Sequence, residues 1–316
     1  MSVTVNKTQS RQLSQAPGTL GLSLRAALPL LPGASLLPFV AGGGRELPDL
    51  ELTLQGVQLQ RERLAAYNEV CGFPLSDVLP GTAPHLLAFP LHMALMTSGS
   101  FPFGPVGLVH LSNRIRVLRA IDVSEPLDVS VRTTPLSPHP KGRAFTLLSE
   151  ISIDGELVWE EQSTMLRRGK SDEDATANAR GTSGDGAASA PAERGAEREA
   201  LREATETAQW RLPEGLGRSY AGVSGDRNPI HMHALSAKLF GFPRAIAHGM
   251  WTKARCLAAL AATLPDAYEV EVSFRKPILL PGSVGFAELS RERRTAFAVR
   301  SGGNANRIHL EGTVTR

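Results

Sequence analysis

Between Gly169 and Ala200 the chain reads GKSDEDATANARGTSGDGAASAPAERGAEREA, which is rich in Ala, Gly, Ser and charge and nearly empty of large apolar side chains. Such a stretch cannot bury enough surface to offset the entropy of ordering it. It therefore sets the main constraint on folding: the 316 residues must organise as two units, each near the usual size of a domain. We read 169–206 as a flexible linker, with EREALREATET as a helical end to it. It separates a unit at 46–168 from one at 207–316. Residues 1–45 are read as an N-terminal segment, partly disordered.

The two units repeat one plan. Each has a loop or helical region, then an apolar helix (LLAFPLHMALMTS in the first, GMWTKARCLAALAATL in the second), then strand-like segments. Those segments, among them RAFTLLSEISID, ELVWEEQSTMLRR, YEVEVSFRKPILL and NRIHLEGTVT, alternate apolar and polar residues as half-buried antiparallel strands do. One helix pressed on an antiparallel sheet is an α+β arrangement.

Several classes of function are set aside by composition. A formal net charge of +3 over this length gives no field suited to nucleic acid. The two cysteines, Cys71 and Cys256, lie far apart; they form neither a disulfide framework nor a CxxC metal site, so a reduced cytoplasm is the expected compartment. The first twenty residues lack a signal-peptide pattern. The apolar run LRAALPLLPGASLLPFVAGGG is broken by Arg25, Pro29, Pro32 and Gly33, so no membrane span is expected.

Chemistry concentrates in YAGVSGDRNPIHMHALSAKLFGFPRAIAHGM, Tyr220 to Met250. Pro229 drives Asn228 out of helical dihedrals, so DRNP is a turn. IHMHALSAKLF then reads as a helix, with His231 in its first turn and Asp226 in the loop before it. Gly249 opens the long apolar helix, where free N–H groups and the positive end of the helix dipole point outward. A glycine there lets a ligand come close to the backbone. That geometry suits a carbonyl oxygen gaining negative charge. A carboxylate, an imidazole and an oxyanion donor together suit proton transfer next to a carbonyl.

YAGVSGDRNPIH followed by GFPRAIAHGM strongly resembles the MaoC-like, or hydratase 2, enzymes of hot-dog fold, and SFRKPILLPGSV resembles the family's strand that runs into a Pro-Gly turn. The resemblance implies a double hot-dog: two antiparallel sheets, each wrapped on a long central helix and paired as an internal pseudo-dimer, with further pairing into a homodimer left open. It implies interconversion of (3R)-hydroxyacyl and trans-2-enoyl thioesters of coenzyme A or acyl carrier protein, with no other cofactor. Asp226 and His231 would hold the water and move protons, Asn228 would orient the carboxylate or the loop, and the Gly249 amide would polarise the thioester carbonyl. Some single-domain members carry a serine near the position of Leu257, and that role does not transfer. The first unit has no Asp-x-Asn-Pro-x-His, which implies a degenerate, non-catalytic hot-dog that supports the fold or shapes an acyl tunnel.

Beside these stand plainer readings. Asn228 is equally a turn residue bonding its own backbone. His248 lines the site or holds the loop, and His233 belongs to the surface or to packing. Phe242, Trp251 and Leu257 are acyl-pocket candidates that equally suit a core. Arg244, Arg275 and Lys276 are candidates for coenzyme A phosphates or an acidic carrier protein, and equally for solvated surface. The three histidines of the stretch are spaced poorly for shared coordination, so no metal is expected. Two rivals remain: a hydratase for a specialised short or branched acyl-CoA, and a non-catalytic acyl-thioester-binding subunit.

Overall fold

A computed structural model describes residues 9–28, 41–42, 46–169 and 191–316. Its elements in chain order are β1 (Gln9–Leu13), α1 (Thr19–Ala27), β2 (Leu50–Val57), α2 (Arg61–Cys71), α3 (His85–Met96), β3 (Leu108–Val117), β4 (Leu127–Thr133), β5 (Ser137–His139), β6 (Gly142–Ile153) and β7 (Glu156–Arg168). The second unit follows with α4 (Pro191–Glu203), β8 (Glu206–Leu212), α5 (Leu216–Ser224), α6 (Pro229–Met232), α7 (Ala234–Leu239), α8 (Gly249–Leu260), β9 (Tyr268–Phe274), β10 (Gly282–Arg291), β11 (Arg294–Ser301) and β12 (Asn304–Thr315).

The repeat holds at the level of topology. The strands run β1-β2-β4-β6-β7-β3-β9-β12-β11-β10-β8 through a single sheet, with β5 on β6. Read outward from the centre, β3-β7-β6-β4-β2 and β9-β12-β11-β10-β8 place corresponding strands of the two units in the same order. The centre is the antiparallel pair β3–β9, with Ser112 opposite Ser273 and Val117 opposite Tyr268. One contiguous core runs through both units, from Leu86, Phe145 and Trp159 to Leu257, Phe286 and Phe297. Contiguity follows from the pairing: a sheet continuous across two units gives their apolar faces one shared interior.

Buried polar groups mark the junction. Lys253 of α8 is fully buried and donates to Asn113 Oδ1, to the Asn113 carbonyl (3.3 Å) and to the Val270 carbonyl (3.2 Å). It ties the second helix to both central strands. Asn113 also donates to Glu161 Oε1 (2.6 Å) and Ser163 Oγ (2.9 Å). Glu161 accepts from His85 Nδ1 at 2.9 Å. A charged residue on the core face of a strand needs this kind of complete pairing.

Part of 1–45 is ordered into the fold: β1 pairs in parallel with β2, and α1 packs on α3. The C-terminal part of the segment read as linker is a docked helix. Leu201 of α4 is buried against Ala296 and Ala298, and Arg300 donates to the carbonyls of Leu201, Arg202 and Ala204. Residues 170–190 lie outside the described residues. Finally, the helix read through IHMHALSAKLF is broken at His233, whose φ and ψ of −148° and 153° are extended. Ser236 fixes the break by donating to the carbonyls of Pro229 (2.7 Å) and His233 (3.0 Å). No described helix is long and apolar enough to cross a membrane.

Candidate active site

The site is assembled from three short segments. The first is the turn after α5. The Asp226 N–H donates to Ser224 Oγ at 3.1 Å, and Asp226 Oδ1 accepts the Asn228 N–H at 3.1 Å. Asn228 then caps α6, its side chain accepting from the Ile230 N–H at 3.3 Å, with Pro229 at the first helical position where a missing N–H is harmless. The Asn228 side chain thus serves the turn, and its backbone serves the carboxylate.

The second segment is the extended stretch Ala245–Ala247. It pairs with 278–280, the Ala247 N–H donating to the Ile278 carbonyl at 2.9 Å and the Leu280 N–H to the Ala245 carbonyl at 2.8 Å. From this rail the Ile246 N–H holds the Ile230 carbonyl at 3.0 Å, and the Ile246 carbonyl accepts from His231 Nδ1 at 2.7 Å. That bond assigns the imidazole proton to Nδ1 and leaves Nε2 as a lone pair.

The third segment is the start of α8. His248 stacks on His231 with ring centroids 3.7 Å apart, and the ring of Tyr220 lies 4.9 Å away on α5. His248 Nε2 donates to the Asp226 carbonyl at 3.0 Å and sits 3.8 Å from its carboxylate. Gly249 follows as the first residue of α8. Its N–H carries no hydrogen bond among the described residues, and the helix dipole favours negative charge at that point. The ring of Phe274 packs on it, 2.8 Å from where a Cβ would stand. The ring leaves no room for a side chain here.

The electrostatics follow from this packing. Burial alone would raise the Asp226 carboxyl; the imidazoles of His248 and His231 and the Asn228 N–H outweigh it and hold the acid below its ordinary range. Burial pushes His231 down, against the pull of Asp226 and the Ile246 carbonyl, and drives His248 to about 3. Near neutral pH the site presents a carboxylate, 31% exposed, beside a neutral imidazole with a free lone pair. Such a pair can take a proton from a bound water and return it.

Other candidates fall in different places. Trp251 is buried and donates its indole N–H to the Val70 carbonyl at 2.9 Å, which braces α8 against α2. Leu257 is a fully buried core residue. Phe242 is half-buried in the turn after α7, and His233 is exposed. Arg275 is engaged by Glu311, its Nε donating at 2.8 Å, with Arg198 of α4 on the same carboxylate. Glu311 stands opposite Ala298, and cross-strand partners share a face. Arg275 therefore belongs to the α4 side of the sheet. Lys276 stays exposed. The donor atoms of Asp226, His231 and His248 lie within 4.8 Å of one another, as do those of His85, His92 and Glu161. In each group the imidazoles already bond protein oxygens, namely Ile246, Asp226, Glu161 and Ser149.

Residues 193–311 match the MaoC like domain. The 3-hydroxyacyl-thioester dehydratase X of Mycobacterium tuberculosis is 34% identical over 269 residues, which span 85% of this chain and 88% of that protein. The chain belongs to the MaoC-like family. In three dimensions this MaoC-like chain superposes on the crystal structure of HtdX of Mycobacterium tuberculosis with a TM-score of 0.70 at 31% identity, covering 84% of this chain and 98% of the other. It also matches a Mycobacterium tuberculosis protein described as a double hotdog, with a TM-score of 0.50, 15% identity and coverage of 86% and 98%. The fold is a double hot-dog of α+β class.

Two contributors to the MaoC-like site escape a reading of the motif. Gly217 of α5 lies against α6: a Cβ there would stand 1.9 Å from the His231 carbonyl oxygen. Its spacing in LGRSYAGVS gives no cue, because the contact is with another element. Tyr220 is buried against His248; its place in the motif offered a cue, but its partner lies on another element.

The buried imidazoles predict an acid-sensitive fold. Burial lowers His92 to about 3, His110 to about 4 and His248 to about 3 from an ordinary value of 6.5. As pH falls through 6.5 the unfolded chain takes up these protons and the folded chain does not, so stability is lost on acidification. With up to three protons involved, the slope reaches about 4 kcal/mol per pH unit near pH 5. Thermal unfolding followed from pH 7.5 to 4.5 should show Tm falling steeply below 6.5. A flat Tm over that range would show these histidines to be solvated.

Proposed function

We propose that this protein is a hydro-lyase that interconverts trans-2-enoyl and (3R)-hydroxyacyl thioesters, with Asp226 and His231 moving the protons. One observation carries the reading: a carboxylate, an unprotonated imidazole nitrogen and an unbonded helix-start N–H belong to one set of packed segments. Its family, and the dehydratase that shares a third of its residues, support the same reaction.

In the hydration direction the thioester carbonyl accepts the Gly249 N–H, which draws electron density from the double bond. Water sits between the Asp226 carboxylate and His231 Nε2. Its oxygen forms the bond to C3 while the Asp226–His231 pair takes one of its protons. The resulting enolate oxygen is held at Gly249. The proton then passes from the pair to C2 on the same face, so water is added in full and the pair returns to its starting state. Dehydration is the reverse. The protein groups suffice for this cycle, and we assign no cofactor beyond the thioester carrier. Arg244 and Lys276, exposed just before the two segments that pair at 245–247 and 278–280, are the cations we assign to the carrier phosphates.

The test is hydration of crotonyl-CoA and longer trans-2-enoyl-CoAs, followed by loss of enoyl absorbance, with chiral analysis of the product. The expected product is the (R)-3-hydroxyacyl thioester. Turnover only with acyl-carrier-protein thioesters would reassign the carrier. Tight enoyl-thioester binding with no water addition on either carrier would overturn the enzyme reading.

A further inference from the structure

α7 is built inside out. A surface helix normally turns its large apolar residues to the core and its small or polar ones to water. In α7, ALSAKL, the buried residue is Ala237, while Leu235 and Leu239 are 79% and 84% exposed. Four residues apart, the two leucines share one face, one turn above the other. Among the described residues they are two of the three most exposed large apolar side chains, and neither belongs to the shared core. A lone surface leucine needs no explanation, but a pair on one helix face marks a surface that something covers.

The charge around this face has one sign. From Arg227 to Pro265 the chain holds no acidic residue, a run that includes all of α6, α7 and α8. Lys238 of α7 is exposed, as are Arg227 before the helix and Arg244 after it. Exposed Arg218 of α5 reaches the start of α7, its Nη1 donating to the Met232 carbonyl at 3.0 Å. A two-fold pairing of α7 with a second copy would set these cations against themselves. The complement of this face is therefore acidic. The face is also continuous with the site. α7 lies in the chain between His231 and the Ala245–Ala247 rail. Ser236 ties it to α6 through the Pro229 carbonyl, and the Phe242 N–H closes its far end on the Ala237 carbonyl at 3.1 Å.

We propose that the Leu235–Leu239 face of α7 is the docking surface for an acyl carrier protein. An acidic amphipathic helix of the carrier lays its apolar residues on the two leucines and its carboxylates on Arg218 and Lys238. The thioester then enters from a protein carrier held beside the segments that present Asp226 and His231. Coenzyme A offers phosphates to the cations but no helix face to two leucines a turn apart.

This role rests on the thioester reading above, so the first measurement needs no turnover. An acidic type II acyl carrier protein, in its apo form and labelled for fluorescence anisotropy, is titrated with wild type, with Leu235→Ser/Leu239→Ser and with Lys238→Glu. All three positions are exposed, so the variants should melt with wild type. Wild type should bind, more weakly as salt rises. Affinity should fall by about tenfold or more in the double leucine variant and by about threefold to tenfold in Lys238→Glu. No binding by wild type, or undiminished binding by the double leucine variant, overturns the proposal. The second measurement compares kcat/KM for a crotonyl carrier protein and for crotonyl-CoA. The double leucine variant should lose about tenfold on the first and stay near wild type on the second. Equal loss on both, or loss on neither, would make α7 part of the scaffold and overturn the docking role. So would a wild-type dimer that the double variant turns into a monomer, or wild-type adsorption to anionic lipid vesicles that the double variant abolishes. No turnover by wild type on either carrier would refute the hydro-lyase reading, leaving the titration to decide on α7.

Discussion

Asp226→Asn and His231→Ala each lower kcat/KM for enoyl-thioester hydration by about 10²–10⁴-fold, the usual contribution of a positioned acid–base group. The two variants differ in every other respect. The amide introduced by Asp226→Asn retains an oxygen that accepts the Asn228 N–H, the bond Asp226 Oδ1 makes at 3.1 Å, so this variant keeps a Tm close to wild type. His231→Ala removes the donor that satisfies the Ile246 carbonyl and the ring stacked on His248. A buried acceptor left without its partner costs about 1–3 kcal/mol, so this variant also unfolds several degrees lower. In wild type, activity should hold steady from pH 7 upward. It should fall on acidification below 6.5, because both shifts act downward: Asp226 remains ionised and His231 remains neutral at pH 7. Steady-state kinetics with matched melting curves checks all of this. Near-wild-type turnover by Asp226→Asn would refute the assigned mechanism.

Gly217→Ala is the second large effect, and its direction runs against helix propensity. Alanine inside α5 should favour the helix by about 1 kcal/mol over glycine. At this position the added methyl would stand 1.9 Å from the His231 carbonyl oxygen, and backbone cannot yield as a flexible side chain does. α5 and α6 must part. Overpacking of this kind costs about 1–3 kcal/mol, and a displacement of His231 by about an ångström costs on the order of 10²-fold in rate. Gly222→Ala on the same helix is the control, since a Cβ there meets nothing within 4 Å. It should be neutral or slightly stabilising with full activity. If Gly217→Ala behaves like Gly222→Ala, the close approach of α5 and α6 is not what places His231.

The first unit shares the strand order of the second and carries none of the motif. Through Trp251 on the Val70 carbonyl, Lys253 on Asn113, and Arg63 on the Val223 carbonyl, it fixes the start of α8 and the end of α5, around which the site is built. A core shared by both units predicts that they unfold together.

What the amino-acid order by itself determined is local. Alternation at period 2 gave the antiparallel strands, the break at Pro229 gave the turn, and Asp226, Asn228, His231 and Gly249 sit within 24 residues, so their grouping needed little more than a turn and a helix start. Tertiary structure alone decided the rest. The break at His233, the docking of α4, the capture of Arg275 by Glu311 and the anchoring of Trp251 on the Val70 carbonyl join residues far apart in sequence or on separate elements. In ELVWEEQSTMLRR the alternation that buries Trp159 also buries Glu161 and Ser163. A charge on a core face signals a hidden partner. Which partner it finds depends on the β3–β7 register and the packing of α3, and those arise from pairings with no short-range pattern to announce them.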